Sequence, residues 1–292
     1  VEQYLRHKYR RNCKASTLRQ AAISLEQFLL FFAKRGNTVL EQLSREDIEA
    51  FVETLQDRGL KPATVNTRLR SVYAFVRYLI LEYKGFDWGL MERKVKLKLP
   101  DRLPRAFDPK HLDQLLCAID NCRDRALLLL LLRTGMRIGE LLNCKLQDID
   151  LNEQKILIYQ SDKTCVGRAV YYSADAQRAL LAWLRVRDAH KQYVFYGQKD
   201  KPLCYEAARA IFRRCLQKAD LQYSGYTMHC LRHSFATGLL NAKMPLECLR
   251  VLLGHSNLEI TRRYARLSNK TREEEYFAAM DRILKGDAHE PH

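Results

Sequence analysis

Four short segments carry residue types suited to chemistry on a phosphate. The first is Tyr226-Thr227-Met228-His229-Cys230-Leu231-Arg232-His233. With Thr227 as a helix cap, His229 and Arg232 stand at i and i+3 on one face of the first turn. An Arg offers a planar fork to two phosphate oxygens, and a helix start adds positive dipole. The second segment is Leu252-Leu253-Gly254-His255-Ser256, in which Gly254 ends a helix and His255 begins the turn. Tyr264 follows nine residues after His255. A phenol, with a pKa of ~10, is a weak nucleophile at neutral pH and becomes useful only beside positive charge and a base. The third segment runs from Arg133 to Leu142: Gly135 closes an apolar helix, Arg137 opens the next, and Glu140 either orients Arg137 or improves that helix's first turn. The fourth is Lys163-Thr164, where a Lys on a turn could reach a leaving oxygen.

Each feature also has a plainer reading. Tyr264 is one of 15 tyrosines, so packing is its default role taken alone. A surface Lys in a turn is common. His229 and His233 stand at i and i+4, as in a zinc-binding helix, but that motif needs a Glu beside the first His, and Cys230 stands there. An Arg between two metal ligands is also unfavourable. No metal site is therefore expected, and His233 reads as a core histidine with hydrogen-bond partners.

The elements that must position these residues are mainly helical. Leu18, Ala22, Leu25, Phe28, Leu29 and Phe32 recur at helical spacing through residues 17–34. Ser44 begins a second helix with Glu46 and Asp47 in its first turn and Gly59 beyond its end. Pro62 opens a third, apolar at Val65, Leu69, Val72, Phe75, Val76 and Leu79 and basic at Arg68, Arg70 and Arg77. That basic stripe is either a solvated face or one that lies along DNA. Residues 85–109 mix Gly and Pro with Arg93, Lys94, Lys96, Lys98, Arg102 and Arg105, which predicts an extended, solvated connection able to track a phosphate backbone. Beyond it, helices are expected near 110–119, 123–134, 137–144, 174–188, 205–219, 227–241 and 246–253. Residues 155–160 and 168–173 are β-rich and joined as a hairpin through 161–167. A final apolar helix is expected around 275–284. The expected fold class is mainly α with a small antiparallel sheet. The expected organisation is a helical domain over 1–85, a basic linker over 86–108 and a second domain over 109–292.

The balance of 50 Lys and Arg against 34 Asp and Glu gives a net charge of +16. Up to Arg105 there are 21 basic and 12 acidic residues, and beyond it 29 and 22, so both parts are basic. This suits a protein that touches a polyanion from two sides, although basic charge alone also serves solubility. Nine Cys without a CxxC pair, many inside apolar helical patterns, read as buried thiols in a reducing compartment. The longest aliphatic run, Leu127 to Leu132, is far short of the ~20 residues a bilayer requires, and no signal peptide is evident, so a cytoplasmic protein is expected. The first residue is Val1 rather than Met, which suggests processing or trimming.

Together, and in this order, Thr134 to Leu142, Lys163-Thr164, His229 to Thr237, Leu253-Gly254-His255 and Tyr264 resemble the tyrosine recombinase (phage integrase) family over nearly the whole chain. The resemblance implies a core-binding domain and a catalytic domain forming a C-shaped DNA clamp. It implies that Arg137 and Arg232 grip the scissile phosphate, His229 accepts the phenolic proton and Tyr264 attacks to leave a 3′-phosphotyrosine. By the same resemblance Lys163 protonates the leaving 5′ oxygen, His255 hydrogen-bonds the phosphate and Glu140 supports the site. Lys61, Arg68, Arg70, Arg77, Lys94 and Lys96 are the expected DNA-binding residues. No cofactor and no ATP are expected. The implied partners are double-stranded DNA and further copies of the chain, a dimer per site and a tetramer on two paired sites, with accessory proteins in some systems. No extra arm-binding domain is expected ahead of the core-binding part, and the resemblance then implies a simple enzyme acting on short inverted repeats, as Xer-type and small transposon or plasmid recombinases do. The C-terminal helix either docks onto a neighbouring subunit, as in the family, or packs on its own chain. Three other readings compete: a DNA-binding module with a silent site, a type IB topoisomerase-like relaxing enzyme, and a metal-dependent nuclease, the last disfavoured by the lack of a carboxylate cluster.

Overall fold

Where apolar residues repeat with helical period, the chain is helical. The structure, a computed structural model, describes residues 1–36, 39–100, 104–159, 167–198 and 200–254. The chain divides into two units, Val1–Asp101 and Arg102–His292.

The first unit is built from α1 (Glu2–Arg10), α2 (Ala15–Lys34), α3 (Arg45–Asp57), α4 (Pro62–Glu82) and the short α5 (Gly89–Glu92). Helix α3 starts on a reciprocal cap, in which the Ser44 backbone N–H donates to Asp47 Oδ2 at 3.0 Å and the Asp47 N–H donates to Ser44 Oγ at 3.3 Å. Pro62 opens α4, where its missing N–H costs nothing. The apolar stripes of α2, α3 and α4 meet in a core around Phe28, Phe51, Val65 and Val76. Sequence patterning did not disclose α1, which is strongly polar and is anchored chiefly by Tyr4, packed edge-on against Phe75 with ring centroids 5.3 Å apart.

The stretch read as an extended, solvated connection is partly packed. Leu90 is buried in the first core, and Phe86, Met91, Val95 and Leu97 lean on it. The Val95 N–H donates to Tyr73 Oη at 2.7 Å. Phe107 is buried in the core of the second unit. Apolar residues interleaved with the basic ones at helical or alternating spacing supply this packing, and the Pro and Lys content concealed it.

The second unit contains α6 (Pro109–Cys117), α7 (Cys122–Thr134), α8 (Ile138–Leu142), β1 (Ile149–Asp150), β2 (Lys155–Ile158), β3 (Arg168–Tyr171), α9 (Ala174–Val186), α10 (Tyr205–Lys218), α11 (Met228–Asn241) and α12 (Leu246–Leu253). Helix α7 is its central post. Ala126 through Leu132 are all buried, which fits a helix packed by α9 on one flank and α11 on another. Asn121 caps its start, accepting from the Arg123 N–H at 2.9 Å. Gly135, at φ +60, ends it.

The three strands form an antiparallel sheet in the order β1-β2-β3, with Ile156 opposite Val170 and Ile158 opposite Arg168. Ile156, Ile158 and Val170 face the core. The expected hairpin connection at 161–166 and the apolar helix at 275–284 lie outside the described residues. Of the eight described Cys, only Cys144, Cys215 and Cys230 are buried. Cys117, Cys204 and Cys248 are exposed, because each sits on the solvent side or at the end of its helix, so the expectation of generally buried thiols fails for them.

No helix among the described residues is long and apolar enough to cross a membrane.

Candidate active site

Arg137 occupies the turn between α7 and α8, and the sequence dictates why. Gly135 adopts the left-handed conformation that ends α7, and an added Cβ there would meet the Phe235 ring, with Cε1 at 2.7 Å. Two residues later the Arg137 backbone is extended, and its N–H donates to Glu140 Oε2 at 2.8 Å. Its guanidinium Nη1 donates to Glu140 Oε1 at 2.9 Å. Glu140 thus both orients Arg137 and caps the first turn of α8.

Arg232 rises from the first turns of α11 and is 3% exposed. Its Nη1 donates to the Gly135 carbonyl and its Nη2 to the Leu253 carbonyl, the latter at 2.7 Å. One buried side chain therefore ties the ends of α7 and α12 together. His229 lies one turn before it on α11 and is exposed. The rings of His229 and His233 pack edge to face with centroids 4.4 Å apart. Among the described residues no cluster of three or more His, Cys, Asp or Glu could hold a metal.

A third arginine, Arg168, was not singled out by the sequence. From the first position of β3 it reaches across the site, its Nη1 donating to Glu140 Oε1 at 3.0 Å and its Nη2 to Glu140 Oε2 at 2.7 Å. Its Nε donates to the Leu252 carbonyl at 2.9 Å. Burial alone would raise the pKa of Glu140. Arg168 first, and then Arg137, outweigh that effect and hold the carboxyl below its ordinary range. A signal for Arg168 existed: it shares a strand face with the buried Val170, and an arginine on an inward face requires an acidic partner.

The last carbonyls of α12 gather all three guanidinium groups. Leu252 accepts from Arg168, Leu253 from Arg232, and Gly254 from Arg137 at 3.1 Å. A helix end leaves such carbonyls without helical partners and carries partial negative charge, so cations are the natural capping groups. Arg137, Glu140 and Arg232 are thereby brought together around the segment that leads into His255. His255, Lys163 and Tyr264 lie outside the described residues.

The expected DNA-binding residues all fall in the first unit. Lys61, Arg70, Arg77, Lys94 and Lys96 are exposed. Arg68 is half-buried, with its Nη1 enclosed against the helices. Its placement departs from the solvated stripe read from the sequence. Lys94 lies 5.7 Å from the centroid of the Tyr73 ring.

Comparison with known proteins fits this architecture. Residues 105–271 match the profile described as "Phage integrase family", and residues 1–83 match "Phage integrase, N-terminal SAM-like domain". The chain belongs to the phage integrase family of tyrosine recombinases. It is 28% identical over 290 residues to the tyrosine recombinase XerC of Bacillus pumilus, covering 94% of this chain and 93% of that protein. It is 30% identical over 291 residues to the XerC of Roseiflexus sp. strain RS-1, covering 92% and 89%. Among solved structures it is similar to the XerH site-specific recombinase bound to palindromic difH substrate in a post-cleavage complex. That likeness has a TM-score of 0.77 at 22% identity and covers 91% of this chain and 80% of that one. It is also similar to the Tn1549 transposon integrase in complex with transposon right end DNA, with a TM-score of 0.73 at 21% identity, covering 95% and 98%.

Proposed function

We propose that this site-specific DNA recombinase cuts and rejoins DNA through a covalent link to Tyr264. The phenolic oxygen of Tyr264 attacks the scissile phosphorus, the bond to the 5′ oxygen breaks, and a 3′-phosphotyrosine and a free 5′-hydroxyl remain. His229 accepts the phenolic proton and Lys163 supplies one to the leaving oxygen. Arg137 and Arg232, with His255, take the non-bridging oxygens, and Glu140 holds Arg137 in place. A 5′-hydroxyl from the partner strand then reverses the step, so one ester is exchanged for another and no ATP is consumed. Phosphoryl transfer depends above all on positioning and fixed cationic charge, and this set of residues supplies both.

The observation that carries this reading is the convergence of Arg137 and Arg232 on the carbonyls of Gly254 and Leu253, directly before His255. The first unit, through Lys61, Arg70, Arg77, Lys94 and Lys96, binds the flanking duplex, while the half-buried Arg68 serves the packing of that unit. Two copies occupy one site and four assemble on a pair of sites. The domain organisation that goes with this is a core-binding domain over residues 1–85, a basic connection over 86–108 and a catalytic domain over 109–292.

The test is adduct formation on a nicked suicide substrate that carries the chain's own site, mapped on the DNA flanking its gene. The native chain should be trapped covalently, and Tyr264→Phe should bind the same DNA without any adduct. An adduct in Tyr264→Phe removes the nucleophile from position 264. Absence of an adduct with the native chain would favour a binding protein instead.

A further inference from the structure

We infer that Arg168 is a positioning residue for strand cleavage, one that fixes Arg137 relative to the chain segment leading to the nucleophile. The inference rests on the proposed role of Arg137 at the phosphate. It extends that reading to a residue outside the set that touches DNA.

The geometry is a three-way junction. Arg168 holds both oxygens of Glu140, at 3.0 and 2.7 Å, and Glu140 in turn accepts from the Arg137 backbone at 2.8 Å and from its guanidinium at 2.9 Å. Arg168 Nε donates to the Leu252 carbonyl at 2.9 Å. Arg168 is therefore bonded at once to the support of Arg137 and to the end of α12. A Lys could supply charge at one of these places but not a planar fork to both.

The packing agrees. Gly254 runs so close to Arg168 that an added Cβ would meet its Nη1 at 2.8 Å and its Cζ at 2.9 Å. Backbone and guanidinium thus lie in contact with no room for a side chain between them. The Arg168 and Glu140 side chains are 6% and 2% exposed, whereas the Arg137 side chain is 21% exposed. Arg168 is committed to Glu140 and the Leu252 carbonyl, which assigns it to positioning rather than to contact with DNA. A buried ion pair of this kind is costly to desolvate and is weak evidence for stability, which leaves specification of geometry as the better account of its presence.

Arg168 also lies at the edge of the sheet next to the chain segment that holds Lys163. It is the first residue of β3, opposite Ile158. Lys163 lies in the chain between these two positions. The residue that bonds the support of Arg137 and the end of α12 is thus also the one at which β3 begins.

The experiment measures single-turnover adduct formation at saturating nicked DNA, DNA affinity and thermal stability for the full chain. It compares the native protein with Arg168→Met, Arg168→Lys, Arg137→Lys and the Arg137→Lys/Arg168→Met double variant. Misplacing a reacting group by about 1 Å costs about a hundredfold in rate, so Arg168→Met should cleave about a hundredfold more slowly with DNA affinity within about twofold of native. Arg168→Lys should fall about tenfold, as it keeps the charge and loses the fork. Because Arg168 acts through Arg137, the double variant should be no slower than the slower single variant by more than about threefold.

A merely structural role predicts a different pattern: weaker DNA binding and losses that multiply in the double variant. That pattern, or a native rate in Arg168→Lys, overturns the inference. Should Arg168→Met fail to fold, the rate of Arg168→Lys decides the matter. If the native chain forms no adduct, the phosphotyrosine reading fails. If it does and Arg168 variants cleave normally, only the inference about Arg168 fails.

Discussion

The Arg168 guanidinium engages both oxygens of the Glu140 carboxylate, at 3.0 and 2.7 Å, in a setting almost closed to solvent. Glu140 is thereby held ionised below its ordinary pKa of 4.5, against the opposing effect of burial. A carboxyl depressed on folding stabilises the folded chain fully above its unfolded pKa, and that contribution fades as pH falls through its folded value. Glu140→Gln should therefore unfold at lower urea concentration than the native chain at pH 7, by about 1.5–3 kcal/mol for hydrogen bonds to charged partners. The difference should shrink as pH is lowered beneath 4.5. A gap that stays constant down to acid unfolding would show that Glu140 contributes only shape.

Gly135 and Gly254 end α7 and α12 in the left-handed region, at φ +60 and +61. Alanine is strained at both by about 1–2 kcal/mol. At Gly135 its methyl also enters the Phe235 ring, where overpacking adds about 1–3 kcal/mol. Gly135→Ala should lower the unfolding midpoint clearly. Gly254→Ala displaces the Arg168 guanidinium instead, so its cleavage rate should fall further than its stability does. Equal stability loss in the two variants with an unchanged cleavage rate in Gly254→Ala would contradict this division.

Much of this was legible in the residues. The runs Arg133 to Leu142 and Tyr226 to His233 place Arg137, Glu140 and Arg232 at helix starts by capping and glycine signals alone, and the structure has those helices at Ile138–Leu142 and Met228–Asn241. The strands around Ile156 and Val170 were visible from β-rich composition. Arg168 was overlooked because a lone Arg in a short strand reads as an exposed end, and its partners are 28 and 84 residues away in the chain. Periodicity reports which face of an element is buried, but it does not report which distant group meets that face. The same limit hid α1, whose few apolar residues become a stripe only against Phe75 and Tyr78.

The two candidate phosphate-gripping arginines differ in burial, and their variants should differ accordingly. Arg137 has a side chain 21% exposed, while Arg232 is 3% exposed and bridges two carbonyls in different helices. Arg137→Ala should cut adduct formation by about a hundred- to a thousandfold, the usual cost of one charge-stabilising donor, with the fold retained. Arg232→Ala should lose as much rate and also lower the unfolding midpoint, because it leaves buried carbonyls without donors. Native-like stability in Arg232→Ala would mean that other donors cap α12.

In the proposed mechanism Arg137, Arg232, His229, His255 and Lys163 are the cationic and proton-carrying groups, so side chains alone would neutralise charge on the reacting phosphate. Cleavage in excess EDTA should then proceed at the native rate. A loss restored by added divalent cation would transfer that role to a metal and revive the nuclease reading.

The first unit offers a way to separate contact with DNA from packing. Arg70 and Arg77 are two turns apart on α4, on one face, and both are exposed. Lys8 of α1 lines the clefts beside each of them, with Arg70 in one and Arg77 and Arg11 in the other. Lys8, Arg11, Arg70 and Arg77 thus line two clefts between α1 and α4. Arg68, two residues before Arg70, is turned inward enough to bury one guanidinium nitrogen. Each phosphate contact releases about 0.9 counterion, so a lost contact flattens the plot of log affinity against log salt by about one. Arg70→Ala and Arg77→Ala should each show that change in an equilibrium binding titration across salt concentrations. Arg68→Ala should alter the slope less and thermal stability more, since the stem it removes packs inside the unit. Equal slope changes for all three would place Arg68 on the DNA as well.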